Sequence, residues 1–435
     1  MLSRIIAGEL SRGFRRTLIG GAVYFGESVS VGKDRMPLPK TGGLPVIAAV
    51  KGNYFFFFAA WGAWVPFLVP YLKNVCRFSD REIGVLLAII PLVAFGAQPF
   101  WSWVADRLGR PAGVAAPLTI AVAFLFPLAV ACKSVWAIGA VFFVYAIFAA
   151  PLVSLGDSIA FAVLGDEHRP RYASLRIWGS IGFTLSAAGC GALFDWIGER
   201  FLFAVFSFCM IISASLAWYI DSMHIKTQRT APVSIRLLYT DRRLLTVTGI
   251  MLLLFTANQM ALTFIGIYAM KLGATNAGVG WIWTMSAGAE VLLLPFAPML
   301  VRRIGVRRMI LIGMASVAVR CVPLAVCTQW WQILAITSLN CLVFVMCYVG
   351  GITFIDMVTP AHLRASGQGM FGMIVMNGSY MAGNLLAGVV LEAFGFTRLY
   401  LISAALAAIS VALMLALVKD PRQQERIFTA ATPLR

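Results

Sequence analysis

Two oppositely charged side chains, Glu290 and Arg320, stand inside long apolar segments of a chain otherwise poor in charge. An ionisable group at bilayer depth is costly, so it usually faces a partner or a water-filled cavity and marks an ion or substrate pathway. Glu290 lies twelve residues before Arg302, and Arg320 lies twelve after Arg308, so both are equally far from the basic loop Arg302, Arg303, Arg307, Arg308. At about 1.5 Å per helical residue that distance is roughly 18 Å, near the middle of a hydrocarbon core about 30 Å thick. An acid and a guanidinium at equal depth can meet. The expectation is a functional pair in which Glu290 exchanges a proton while Arg320 tunes it or binds an anion; the alternative is a static buried ion pair of little net stability.

Three further charges fall at the ends of apolar runs. Asp157 stands toward the end of the fourth run and Arg176 at the start of the fifth, so the long arginine can reach the carboxylate across a hairpin. The competing reading of Arg176 is a topogenic arginine snorkelling to the membrane interface. Asp356, near the end of the tenth run, is either a gating group or a helix-end charge wetted by water. Tyr54, Trp61 and Trp178, with Trp64, Trp281 and Trp283, can line an apolar pocket or anchor helices at the interface. Gln98, Asn258, Gln259, Asn340, Asn377 and Asn384 can hydrogen-bond a solute or tie helices together, at about 1 kcal/mol each or less.

The elements that must position these groups are membrane helices. Of 435 residues, 60% are hydrophobic and 12% charged, about half the charged share of a soluble domain. Apolar runs recur at about 53–72, 82–104, 112–131, 135–156, 176–195, 200–220, 244–269, 277–300, 309–327, 331–355, 368–391 and 398–418. Each is near the length needed to span a bilayer. The expected fold is an all-α membrane protein of twelve transmembrane helices. The eight cysteines are scattered, without metal-ligand spacing, and no phosphate loop, His-Glu-x-x-His or Gly-x-Ser-x-Gly sequence occurs. No metal, no cofactor and no enzymatic activity are expected.

Basic residues set the orientation. With the N-terminus cytoplasmic, the inner segments hold 27 of the 35 Lys and Arg residues, and the outer loops hold only Lys73, Arg77, Arg81, Lys133, Arg200, Lys271 and Arg398. The net charge of +17 is thus dispersed over alternating loops facing lipid headgroups, which leaves little for a nucleic-acid reading. Residues 1–44 form a basic N-terminal tail without the apolar core of a signal peptide. A disordered tail, an interfacial amphipathic helix, a targeting segment and an upstream start ahead of Met36 remain open for it.

The chain repeats itself at half length. Pro99-Phe100 recurs as Pro295-Phe296 and Gly109 as Gly305, both 196 residues on; Gly191 to Asp195 and Gly198 recur as Gly388 to Glu392 and Gly395, 197 residues on. The expected organisation is a six-helix bundle over 45–220, a basic linker over 221–243, a second six-helix bundle over 244–418 and a tail over 419–435. Repeat-built transporters place substrate at the interface of such halves.

Ala105-Asp106-Arg107-Leu108-Gly109-Arg110, between the second and third runs, resembles the hallmark loop of the major facilitator superfamily, Gly-x-Leu-Ala-Asp-Arg-x-Gly-Arg, with Ser102 and Val104 replacing the first Gly and the Leu. In that loop Asp106 is expected to cap the third helix and to latch onto a guanidinium across the bundle interface. Tyr54-Phe55-Phe56, Pro66-Phe67, Phe78-Ser79, Ile83-Gly84 and Arg176-Ile177-Trp178-Gly179 are similar to the phenylpropionate-permease-like group and its relatives, the lactose permease and proton/nucleoside symporters. The resemblance implies two pseudo-symmetric bundles, alternating access, proton coupling and Arg176 as a solute anchor. The expected protein is a monomeric inner-membrane permease, both termini cytoplasmic, taking up a small organic solute such as an aromatic carboxylate with protons. An exporter of the same fold and a non-transporting membrane sensor or scaffold are the alternatives. Cysteine labelling should find positions beside Lys133 and Lys271 accessible from outside, and positions beside Arg229 and Arg303 only from inside; an exterior Arg229 would overturn the topology.

Overall fold

In lipid every backbone amide must find its partner within the chain, which apolar segments achieve as helices. The computed structural model describes residues 44–165, 171–224, 242–359 and 364–418, and among these all regular structure is helical. All but the last residue of the expected 1–44 tail, the 419–435 tail and most of the 221–243 linker lie outside the described residues, as do His168 and His362. In chain order the helices are α1 Pro45–Val75, α2 Asp80–Leu108, α3 Pro111–Ala131, α4 Val135–Leu164, α5 Tyr172–Ile197, α6 Glu199–Ser222, α7 Arg242–Lys271 and α8 Asn276–Ile304. Next come α9 Val306–Leu324, which carries three arginines, and α10 Trp330–Val358. The last stretch, Gly367–Leu417, breaks at Gly395 (φ 77°, ψ 178°) into α11 (367–394) and α12 (396–417). Ten stretches among the described residues are long and apolar enough to cross a membrane; with α9 added and the last one divided at Gly395, they are consistent with twelve crossings.

Several helices outlast their apolar runs, because backbone bonding does not depend on side-chain polarity. α4 continues past residue 156 to Leu164, its polar face satisfied locally: Ser154 Oγ donates to the Pro151 carbonyl (2.8 Å) and Ser158 Oγ to the Ser154 carbonyl (2.9 Å). α5 begins at Tyr172 rather than 176. Asp157 and Arg176 are therefore each at least a turn inside their helices, not at the chain ends where hydropathy put them.

Within the first half α1 packs on α5 and α6, α3 on α6, and α2 on α4; within the second, α7 and α9 pack on the α11–α12 stretch. Pseudo-symmetry extends to the loops after α2 and α8. Arg110 pairs with Asp221 at the end of α6 (2.6 Å), while Arg307, 197 residues on, donates to the carbonyls of Leu415 (3.1 Å) and Val418 (2.7 Å) at the end of α12. Asp106 does not do what the motif suggests: α2 stays helical through it to a left-handed Gly109 (φ 63°), Arg110 occupies the cap position of α3 without capping it through its side chain, and Asp106 is exposed and unpaired.

The halves meet along α5/α8 and α2/α11, toward the face opposite the Asp106 loop. Glycines make both seams possible. A Cβ on Gly280 would lie 2.3 Å from the Ala187 carbonyl oxygen, and one on Gly191 2.6 Å from that of Asn276. At the other seam a Cβ on Gly84 would lie 2.6 Å from the Asn384 oxygen, and one on Gly388 2.5 Å from that of Asp80. The repeated carboxylates lock these seams. Thr275 gives α8 no side-chain cap; Asp195 of α5 accepts instead from the amides of Asn276 (2.8 Å) and Ala277 (3.1 Å). Glu392 of α11 likewise accepts from the Arg81 amide of α2 (2.9 Å). Each is a carboxylate at the positive end of a helix in the opposite half.

Because the atoms met at Gly84 and Gly280 are backbone, Gly84→Val with Gly280→Val should destabilise this closed face by about 1–3 kcal/mol per site, as overpacking does. In a cysteine-free background, Met270→Cys, beside the seam, should then react several-fold faster with a water-soluble maleimide. Unchanged reactivity would show that the seams do not hold the face shut.

Candidate functional site

Asp157 is the best-supported polar group of the first half. Its Oδ1 accepts from the Tyr54 hydroxyl on α1 (2.7 Å) and from the Tyr172 hydroxyl on α5 (2.8 Å), and Arg176 Nε stands 4.0 Å away. Tyr172 and Arg176 are four residues apart and so share one face of α5. The guanidinium lies over the Phe58 ring (4.1 Å to the centroid) and near that of Tyr54 (5.6 Å). An arginine held on aromatic faces with only a loose carboxylate contact keeps donors for a further partner. The side chains of Arg176 and Asp157 are each 32% exposed, although both lie inside their helices.

The α5/α8 seam decides what faces Arg176. The helices run antiparallel, and Thr284 Oγ1 donates to the Thr184 carbonyl (3.1 Å). Following that register eight residues along each helix brings Arg176 level with Leu292, half a turn from Glu290. Arg176 is the guanidinium whose field reaches Glu290, although no ion pair or hydrogen bond joins them. Around Glu290 the second half contributes Cys341 of α10 and Tyr380 of α11, while Tyr348 of α10 lies within electrostatic reach of both Asp157 and Tyr380. Asn340 Nδ2 donates to Ser286 Oγ (3.3 Å), one turn before Glu290 on the same face of α8. The cluster thus draws on α1, α4 and α5 of one half and α8, α10 and α11 of the other.

The expected pairing of Glu290 with Arg320 is not present. No hydrogen bond or ion pair joins them; Arg320 points into the second half, where its Nη2 donates to Asn258 Oδ1 on α7. Distance along a helix from the connecting loop does not specify which face of the helix a residue occupies. The interdigitation of α9 with α7 and α12 turns Arg320 away from the interface. The static alternative fails equally, since there is no pair.

The other expected residues divide by role. Gln259 and Asn384 are structural: Asn384 Oδ1 accepts from Gln259 Nε2 (3.0 Å) and Thr263 Oγ1 (2.8 Å), and its Nδ2 donates to the Leu87 carbonyl (3.3 Å), tying α7, α11 and α2. Asp356 accepts from Gln368 Nε2 (3.0 Å), an α10–α11 tie away from the cluster. Trp61 packs on Phe57, Phe58 and Trp64, behind the platform that carries Arg176. Trp178 is exposed with Lys51 Nζ 5.8 Å from its ring, and Arg107 lies over Trp103 (5.4 Å). Trp281 is also exposed. Asn377, half-buried in a π-helical turn of α11, makes no hydrogen bond. Tyr172, Tyr348 and Tyr380 were missed by the sequence reading. Only Tyr172 carried a signal, its i, i+4 spacing to Arg176. No group of three or more metal-ligating side chains occurs among the described residues.

Comparison with known proteins agrees with this architecture. Residues 47–402 match the model of the MFS_1 like family. The chain is 26% identical over 373 residues to a maltose permease of Geobacillus stearothermophilus, covering 85% of this chain and 94% of that protein. It is 25% identical over 351 residues to a probable 3-phenylpropionic acid transporter of Escherichia coli, covering 79% and 90%. A crystal structure of a mutant of the nucleoside transporter NupG superposes with a TM-score of 0.73 at 18% identity, covering 86% of this chain and all of that one. With twelve-helix architecture, two pseudo-symmetric halves and a polar cluster between them, the chain belongs to the MFS_1 like family of the major facilitator superfamily, a secondary transporter rather than an enzyme.

Proposed function

We propose that this transporter takes up a small organic solute together with protons by alternating access. Glu290 carries the proton and Arg176, with Asp157, anchors the solute. The observation that carries this reading is the Asp157–Arg176 site of one half lying within electrostatic reach of Glu290 of the other, across the α5/α8 seam, where the two halves move relative to each other in a rocking cycle. With Glu290 ionised, Arg176 and the two carboxylates carry one net negative charge, which repels an anion; protonating Glu290 brings the cluster to neutrality, so a monoanion and a proton load together without changing its net charge, the carboxylate taking the Arg176 donors that Asp157 leaves free. Phe58, Tyr54 and Tyr348 supply ring faces for an aromatic body, which favours an aromatic carboxylate. A neutral polyhydroxy solute is the second reading, favoured by the hydroxyls and carboxyls of Tyr54, Tyr172, Asp157 and Glu290, which suit alcohol groups. The relatives named for maltose and nucleosides fit it.

The same proposal takes the protein as a monomer in a bacterial inner membrane, with termini and Asp106 loop cytoplasmic. The described conformation, shut at the opposite face, is then the inward-facing one. Asp106, free here, latches in the outward-facing state.

Proteoliposomes with an imposed pH gradient test the coupling. Glu290→Gln should abolish accumulation yet retain counterflow exchange, because the amide keeps the volume but carries no proton; undiminished accumulation would remove Glu290 from the proton path. Competition by phenylpropionate, but not by maltose or nucleosides, supports the carboxylate, and the reverse pattern supports the polyol. Asp106→Asn should slow turnover while leaving solute affinity within about twofold, the fold-change of a few tenths of a kcal/mol; lost affinity at normal turnover would contradict the latch.

A further inference from the structure

Arg320 is the one fully buried charged side chain among the described residues, 1% exposed on α9. A guanidinium stays protonated in proteins and presents five donors in a fixed fork. Nη2 donates to Asn258 Oδ1, whereas Nε and Nη1 have no partner. The ionisable groups near it are its neighbour Cys321 and Tyr400 of α12. The Tyr400 hydroxyl, 0% exposed, is also without a partner. None of the carboxylates of the second half pairs with Arg320: Glu290 makes no ion pair with it and lies in the field of Arg176, Asp356 holds Gln368 and Glu392 accepts from the start of α2.

Removing an unpaired ion from water costs several kcal/mol even after relaxation, and one neutral amide oxygen does not neutralise it. The arrangement offers three N–H donors on two unpartnered nitrogens and a phenolic O–H, with no negative charge to receive them. Water would satisfy the hydrogen bonds but leave the charge; a small anion does both. The partners of Arg320 lie on α7 and α12, whereas the Asp157–Arg176–Glu290 cluster lies on α4, α5 and α8, so any such ion is distinct from the transported solute.

We infer that Arg320 and Tyr400, with Asn258 holding the fork, form an internal site for a small monovalent anion of the chloride class, the counter-ion of Arg320 inside the second half. A ligand bound only by the folded protein raises its stability saturably with concentration. The purified full-length protein in neutral detergent should therefore melt higher as chloride or bromide replaces gluconate at constant ionic strength, with saturation. Arg320→Gln should lose the halide response. Tyr400→Phe, which keeps the ring and removes one donor, should require several-fold more halide and serves if Arg320→Gln does not fold. Arg176→Gln should respond like the parent. A parent protein indifferent to halide, a full response in Tyr400→Phe and Arg320→Gln, or a response lost in Arg176→Gln would each overturn the assignment.

Discussion

Three of the backbone amides that open α2 and α8 find their acceptors in the other half, while the rest of the α2 start is capped locally by Ser79 and Glu82. Asp195 receives two amides of α8 and Glu392 one of α2. A helix start without its cap loses about 1 kcal/mol, and the carboxylate gains further from the helix dipole. Such modest terms suit a seam that must also open. They act only because Gly84, Gly191, Gly280 and Gly388 let backbone meet backbone, so the caps and the glycines form one device, made twice by the internal repeat. The α5/α8 register that this device sets also brings Arg176 level with Leu292, two residues beyond Glu290.

The polar cluster is built on that register. Arg176 rests on Phe58 and Tyr54 rather than in a tight bidentate pair, and Asp157 is satisfied by two tyrosine hydroxyls instead of by the guanidinium. Both charges are thereby positioned without being spent on each other. That arrangement keeps them available in a medium where a close ion pair would be hard to separate. Cations and carboxylates elsewhere do static work, as in Arg110 with Asp221 and Arg307 on the end of α12. These two contacts occupy equivalent places in the halves yet use different acceptors, a side chain in one and backbone carbonyls in the other. The repeat preserves geometry more faithfully than chemistry.

Much of this was legible in the chain. Apolar runs of bilayer length determined an all-helical membrane protein, because no other backbone arrangement short of a closed barrel satisfies itself in lipid. The Gly191-to-Asp195 and Gly388-to-Glu392 repeat, visible as letters, proved to be the seam. Asp157 and Arg176 were found as neighbours, though hydropathy set them too near the ends, since a helix continues wherever its backbone is satisfied. The roles of Gln259 and Asn384 as ties were among the alternatives that polar residues in membrane helices always leave open.

What the sequence by itself determined is therefore linear: which segments are helices, where along them each charge falls, and that the halves are related. What only the tertiary structure decided is rotational. Glu290 and Arg320 are equally far in sequence from the basic loop between α8 and α9, but the rotation of each helix, fixed by packing against α5 for one and against α7 and α12 for the other, leaves the first within the field of Arg176 and sends the second to Asn258 and the neighbourhood of Tyr400. The same limit explains the missed tyrosines Tyr348 and Tyr380. Membrane helices are apolar on every side, so the amphipathic stripe that reveals the inward face of a soluble helix is faint. The inward face is chosen by the fit of small residues between helices.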